Sequence, residues 1–345
     1  MANVLDIKRR IRSVKSTMQI TKAMKVVSAA KLRRAQDRAM AARPYAQMLT
    51  NVLRSLVNRA DVYDPQTGEV LHPLLEQREE RNILVVVVTA DRGLAGGFNS
   101  NLIKSAVRFL DTKKAENIDL ELIGRKGRDF FRRRYPMQNA KEERSQRIRV
   151  TGESVGLLNK PDFETMQHIA EDIIGRYQRE EVDAVYVLFN EFKSVIAQRL
   201  VVDQILPIEE IGEDDVRQAE ELSTEARERL AEAADSAGVS VEAHDTTAID
   251  RAAAKFATAD VDYIYEQPPR ELFRSLLPRY IAVQMYRAIL ESIAAEHAAR
   301  MTAMDSATNN ATDMIDSLTL TMNRARQAAI TKEIIEIVSG AAALS

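Results

Sequence analysis

One stretch of this chain has residue types and spacing that invite a chemical reading. Asp91–Gly97 reads DRGLAGG, follows an apolar run and precedes an amphipathic one. A glycine-rich turn from strand to helix is where backbone N–H groups cradle phosphates. This turn lacks the Gly-Lys-Ser/Thr of a phosphate-binding loop and the full spacing of a dinucleotide fingerprint. Glycines serve a tight strand-to-helix turn equally well. The four histidines, His72, His168, His244 and His297, show no metal-ligand spacing. The chain has no cysteine, which excludes disulfides, thiolate metal sites and thiol nucleophiles. Met18, Met301, Met304 and Met322 fall at helical spacing and read as packing residues, not a cofactor box. The sequence therefore offers no catalytic, cofactor-binding or metal-binding set.

The elements that flank this middle stretch are unusual. No glycine occurs before Gly68 and none between Arg270 and Ser339, and glycine costs a helix interior about 1 kcal/mol. Steps of three and four from Val4 through Ile7, Leu32, Leu49 and Leu56 to Ala60 trace a seam of 17 positions, broken only by Thr21, Lys25 and Ser28. A second seam of 17 runs from Phe273 to Ala329, with 14 apolar. His297 lies on it and reads as a packed polar residue. A seven-residue repeat held this long keeps one stripe facing one partner, as a coiled coil requires. Helices on a globular core usually stop within about 20 residues. The two seams are expected to meet antiparallel, with the C-terminal helix projecting further. Pro44 should kink the first helix or loosen one of its turns.

Between the seams, Asn82–Ala90, Ile118–Gly124 and Val182–Asn190 are short β-branched runs, separated by helical stretches at Asn99–Lys113, Gly127–Arg134 and Asp162–Arg179. That alternation predicts a mostly parallel sheet with helices on its faces, and Ile196–Leu206 reads as an added edge strand. The expected fold is α/β plus α: a long antiparallel two-helix coiled coil with a central Rossmann-like domain. The expected boundaries are a first shaft helix over 1–62, the α/β domain over 80–210, an acidic insertion over 211–260 and a second shaft helix over 268–345. Within the insertion, i, i+4 pairs such as Glu225 with Arg229 predict a helical hairpin on the foot's surface, its second arm starting at Asp245 or Thr246.

Total charge is near neutral, with a net charge of −2, but it is segregated. Twelve Lys/Arg against Asp6 and Asp37 lie between Met1 and Arg43, and 14 Asp/Glu against three Arg lie between Glu209 and Asp250. No tryptophan is present and Tyr45 is the first aromatic, so the basic helix lacks the stacking residues of a nucleic-acid surface. It reads as a solvated face or as a surface sliding on an acidic protein. The basic, amphipathic Met1–Lys15 shares its pattern with mitochondrial presequences. No apolar run approaches the roughly 20 residues of a membrane span.

Five ordered segments carry a resemblance. Ile7–Ala30 (IKRRIRSVKSTMQITKAMKVVSAA), Thr89–Asn99 (TADRGLAGGFN), Asp262–Glu266 (DYIYE), Ala298–Asn310 (AARMTAMDSATNN) and Met322–Leu344 (MNRARQAAITKEIIEIVSGAAAL) are similar to the signatures of the gamma subunits of F-type ATP synthases. The resemblance spans nearly the whole chain and begins within its first ten residues, which weighs against a presequence. It implies a peripheral membrane protein on the cytoplasmic face of a bacterial cell membrane, with no catalytic residues and no cofactor of its own. It implies a central rotor in the hole of three alpha and three beta subunits, footed with the epsilon subunit on the membrane c-ring and coupling proton flow to ATP synthesis. By the same resemblance, Met24, Lys25 and Arg33 would meet an acidic beta surface. Arg324, Arg326, Gln327 and Thr331 would form a polar catch on beta. Val338, Ala341, Ala342, Ala343 and Leu344 would form an apolar bearing at the tip. Tyr263, Tyr265 and Glu266 would lie near the membrane ring. Insertions near 211–260 act as brakes on hydrolysis in photosynthetic relatives; without cysteine, no such brake here could be thiol-controlled. The rivals are a coiled-coil tether, which would share the seams without the five segments, and a nucleotide-binding α/β enzyme, which would need a competent phosphate loop.

Overall fold

The structure, a computed structural model, describes residues 4–59, 72–140, 142–192, 194–195, 198–208, 216–239 and 269–342. The glycine-free ends form helices α1 (Val4–Arg59) and α6 (Pro269–Ala342). Helix α1 continues through Pro44. Every described side chain of the first seam is buried or half-buried, and so is the second seam from Leu276 to Ala325. The helices run antiparallel. Thr21 and Thr308 share a hydroxyl hydrogen bond of 2.8 Å, and the Thr312 hydroxyl reaches the Met18 sulfur at 3.6 Å. In that register the first turn of α1 falls opposite Arg326, so the seam loses its partner there and Ala329 is exposed.

Between the shaft helices lie β1 (Asn82–Val88), α2 (Phe98–Thr112), β2 (Asn117–Ile123), α3 (Arg125–Phe131), β3 (Ile148–Ser154), α4 (Phe163–Gln178), β4 (Ala184–Phe192), β5 (Gln198–Leu206), β6 (Val216–Glu221) and α5 (Thr224–Ser236). They build one six-stranded sheet in the order β3-β2-β1-β4-β5-β6. The pairs among β1, β2, β3 and β4 are parallel, and β5 and β6 are antiparallel additions. Alternate residues of β1 point to opposite faces. Ile83, Val85 and Val87 pack under α2 with Leu102, Phe109 and Leu110. Leu84, Val86 and Val88 join a core with Ile173 and Tyr177 of α4, Ile289 and Ile293 of α6, and Leu32 and Leu53 of α1. The shaft is therefore a layer of the α/β domain, sharing its core.

Two expectations need correction. The Ile196–Leu206 strand is not an edge, because β6 pairs outside it from Glu221 to Val216. Val216–Glu221 was expected within a helical arm; extended pairing to β5 gives one side of its backbone ladder partners, which outweighs local helical spacing. Among the described residues of the segment α5 is the helix, capped by the Ser223 hydroxyl on the Ala226 N–H. It packs Leu230, Ala233 and Ala234 into the shaft-side core. The second arm, from Asp245 or Thr246 to Phe256, lies outside the described residues.

Candidate functional site

The DRGLAGG turn is held between the strand ends and α6, and a cavity of about 490 Å³ opens beside Gly96 and Gly97, lined also by Asn101, Asn190, Ala299 and Ala303. The Asp91 carboxylate accepts the N–H groups of Arg125 (3.1 Å) and Gly156 (3.0 Å) and the Asn159 amide (2.8 Å), tying the ends of β1, β2 and β3 together. Arg300 of α6 donates to the Gly93 carbonyl (3.2 Å) and to Glu296 (2.6 Å). Gly96, at φ +53°, brings its backbone against Ala299 and Ala303; a Cβ there would sit 3.7 Å from that of Ala303. At the neighbouring strand end, the Asn190 N–H donates to the Ser292 hydroxyl (3.3 Å). In open α/β sheets a ligand sits outside the carboxyl ends of the strands at the switch point. Here α6 crosses that place, so the glycines fasten foot to shaft.

The seam's polar positions are matched across the helices. Lys25 Nζ lies 2.6 Å from Asp305 Oδ1 and 2.5 Å from the Ser236 hydroxyl of α5, and its side chain is 12% exposed. Thr21 meets Thr308, and Ser28 is buried. Lys25 is thus committed inside the shaft and presents no free charge to an outside surface. Arg33 is exposed but donates to the Gly238 carbonyl at the end of α5. Met24 beside them is half-buried. The partners Asp305 and Ser236 were missed in the sequence. Asp305 follows the seam residue Met304, and that adjacency was the available signal.

Beyond Ala325 the helix is bare. Arg324, Arg326, Gln327, Thr331 and Val338 are exposed, as are Ile330, Ile334, Ile335 and Ile337. The Thr331 hydroxyl turns back to the Gln327 carbonyl at 3.0 Å. Ala341 and Ala342 end the described helix. Ala343, Leu344, Tyr263, Tyr265 and Glu266 lie outside the described residues.

Buried charge in the foot is structural. Asp119 of β2 faces Arg144 (2.5 Å), Arg149 (2.9 Å) and Arg176. Burial pushes its carboxyl up, but the three guanidiniums outweigh burial and hold it below the usual range. Arg149 also clamps the carbonyls of Asn139, Ala140 and Glu142, fixing the loop before β3. Glu121, two residues on, is pushed up to about 7 by burial. His297 is lowered to about 4 by burial, with Arg300 and Lys31 adding to it, so the seam holds it neutral. Among the described residues no group of three or more His, Asp or Glu could hold a metal ion, and no helix is long and apolar enough to cross a membrane.

A two-helix shaft that protrudes past its own pairing and is riveted into an α/β foot defines a class of stalk-like, non-globular subunits. The family model described as "ATP synthase" matches residues 3–344. The ATP synthase gamma chain of Solibacter usitatus is 49% identical over 343 residues, 99% of each chain. That of Trichlorobacter lovleyi is 43% identical over 99% of this chain and 98% of its own. This chain belongs to the ATP synthase gamma chain family. At those lengths the 211–260 segment does not set it apart from these relatives. The fold is also that of chains in mitochondrial ATP synthases. One from Euglena gracilis has a TM-score of 0.56 at 18% identity and covers 99% of this chain and 94% of its own. One from Tetrahymena thermophila has a TM-score of 0.51 at 22% identity, covering 84% and 99%.

Proposed function

We propose that this gamma chain is the turning central shaft of a rotary ATP synthase. It transmits torque between a membrane c-ring and a catalytic ring of three alpha and three beta subunits, with the epsilon subunit at the foot. It performs no catalysis itself and sits peripherally on the cytoplasmic face of the membrane. The observation that carries the reading is the bare tip. Exposed isoleucines and a valine over the last four described turns of α6 have no partner among the described residues, and so many large apolar side chains exposed on one short stretch mark a surface that meets another protein. Such a tip can turn in a sleeve because its contacts are non-directional. Arg324, Arg326, Gln327 and Thr331, one or two turns below, would supply directional contacts to beta. Two helices of unequal length present different faces to three identical beta subunits. Each is thereby biased toward a different state, and a partner shifts an equilibrium only by its differential binding. Met24 and Arg33 would face beta lower down, and Tyr263, Tyr265 and Glu266 the ring.

Purification from native membranes tests this. Recovery within a large ATP-hydrolysing complex is expected; recovery alone, with ATPase activity of its own, would overturn it.

A further inference from the structure

Three basic residues of α1 converge on one small cavity. Lys31, Arg34 and Arg38 are spaced i, i+3 and i+7, which puts them on one face of the helix. They line a cavity of about 170 Å³ between α1, α6 and the loop from β3 to α4, together with Asn159 of that loop and His297 of α6. The three cations are exposed, and among the described residues they make no hydrogen bond and no ion pair. No carboxylate lines the cavity. Lys25 and Arg33 of the same helix are, by contrast, committed to Asp305 and to the Gly238 carbonyl.

Two neutral groups of the cavity have their hydrogen-bonding roles fixed by their neighbours. His297 Nδ1 lies 3.4 Å from a guanidinium nitrogen of Arg300. A guanidinium can only donate, so Nδ1 accepts and the neutral ring carries its proton on Nε2. That Nε2–H has no partner among the described residues. Asn159 gives its amide N–H to the Asp91 carboxylate at 2.8 Å. A carboxylate can only accept, so the amide's orientation is fixed and its Oδ1 remains as an acceptor. The cavity therefore combines three cations, an N–H donor and an acceptor over an apolar floor that includes Leu290 and Ile293.

That set selects a ligand. Three cations call for an anion, and charge-assisted hydrogen bonds to oxyanions are the strong ones. The volume falls below the roughly 300–1,000 Å³ of pockets that hold drug-sized molecules, so it suits an ion and not a whole nucleotide. Near neutral pH inorganic phosphate keeps an O–H that Asn159 Oδ1 can accept, whereas sulfate has none.

We infer that Lys31, Arg34, Arg38, Asn159 and His297 form a binding site for inorganic phosphate where the shaft joins the foot. Bound there, the ion ties α1 to α6 and to the loop after β3, and a ligand held only by the folded state stabilises it. The site does not depend on the rotor reading.

The full chain, carrying isotopically labelled histidine, is titrated with phosphate at neutral pH and constant ionic strength, and His297→Gln assigns the resonance among the four histidines. The His297 signal is expected to move saturably. Sulfate is expected to bind about ten-fold more weakly, the cost of one unmade hydrogen bond. Arg34→Gln/Arg38→Gln is expected to weaken phosphate binding by about ten-fold or more. Arg10→Gln/Arg12→Gln removes the same charge from the same helix outside the cavity and is expected to leave binding unchanged. Phosphate is also expected to raise the thermal midpoint of the wild type more than that of Arg34→Gln/Arg38→Gln. An unmoved His297 signal, equal binding of sulfate, an equal loss in the two double variants or an equal thermal gain in wild type and cavity variant would overturn the site. A signal that moves with vesicles of anionic phospholipid but not with phosphate would assign the cations to a lipid headgroup, and would overturn it as well.

Discussion

Lys25 shows how a residue's type can be legible while its partner is not. Its position within an apolar seam marked it as exceptional, but charge alone pointed outward, to a partner on another chain. The structure turns it inward, onto Asp305 and Ser236. A half-buried pair of this kind is costly to break from one side, because the remaining charge is stranded. Lys25→Ala and Asp305→Ala are each expected to destabilise the chain by roughly 1–3 kcal/mol in urea unfolding, the double variant costing less than their sum. His297 adds a pH dependence. Its ring stays neutral down to about 4 in the fold but takes up a proton near 6.5 when unfolded. The unfolded state thus binds more protons between those values. Stability is full above 6.5 and is lost as pH falls toward 4, by roughly 2–3 kcal/mol. His297→Gln should flatten that slope; an unchanged slope between pH 6.5 and 4 would contradict the assignment. Two glycines separate strain from collision. Gly124 (φ +92°) would put a Cβ 1.9 Å from the Thr89 carbonyl oxygen, whereas Gly156 (φ +94°) meets nothing within 4 Å. Gly156→Ala should cost about 1–2 kcal/mol for its backbone alone. Gly124→Ala should cost on the order of 3 kcal/mol or more, measured in the same way.

Among the elements, periodicity carried furthest where burial is one-sided or complete. The seam of seven gave both shaft helices, and the runs at Asn82, Ile118 and Val182 gave the three central parallel strands, because each is covered on both faces. Strands β3 and β6 were not legible. Ile148–Ser154 (IRVTGES) mixes charge, threonine and glycine, since an edge strand needs an apolar face only in part and Gly152 must admit the Glu121 side chain. Val216–Glu221 (VRQAEE) takes its structure from the ladder with β5, a non-local cause that no window of sequence contains. The DRGLAGG turn lacks the residues of a phosphate loop, and its role as a rivet to Arg300 and Ala303 depends on a helix some 200 residues away. The pairing of β6 bears on any attempt to remove the acidic segment. Excising Glu213–Ala257 takes a strand from the sheet together with α5, uncovering β5 and freeing Lys25 and Arg33 of their α5 contacts. Such a variant is expected to be less stable as an isolated chain and, if the segment slows rotation, to hydrolyse ATP faster once assembled. A coupled assay of the assembled complex reads the second effect, and an equal hydrolysis rate would leave α5 a structural addition.

At the scale of the whole molecule, stability and function part company along α6. From Tyr280 to Arg300 every residue of the helix is buried or half-buried, as a layer of the foot; to Ala325 it is one half of a coil; beyond that it is exposed. Deleting residues 328–345 should therefore change the urea midpoint of the isolated chain by no more than about 0.5 kcal/mol in stability, while weakening its retention in the catalytic ring. The claim that the molecule turns as a unit is tested most directly by watching it. A Lys114→Cys variant, labelled at that exposed foot position in a chain otherwise free of cysteine, can carry a visible bead while the catalytic ring is fixed to glass. With ATP supplied, the account predicts one-directional rotation of the bead in three equal steps per turn. A bead that stays still while the same complexes hydrolyse ATP would contradict it.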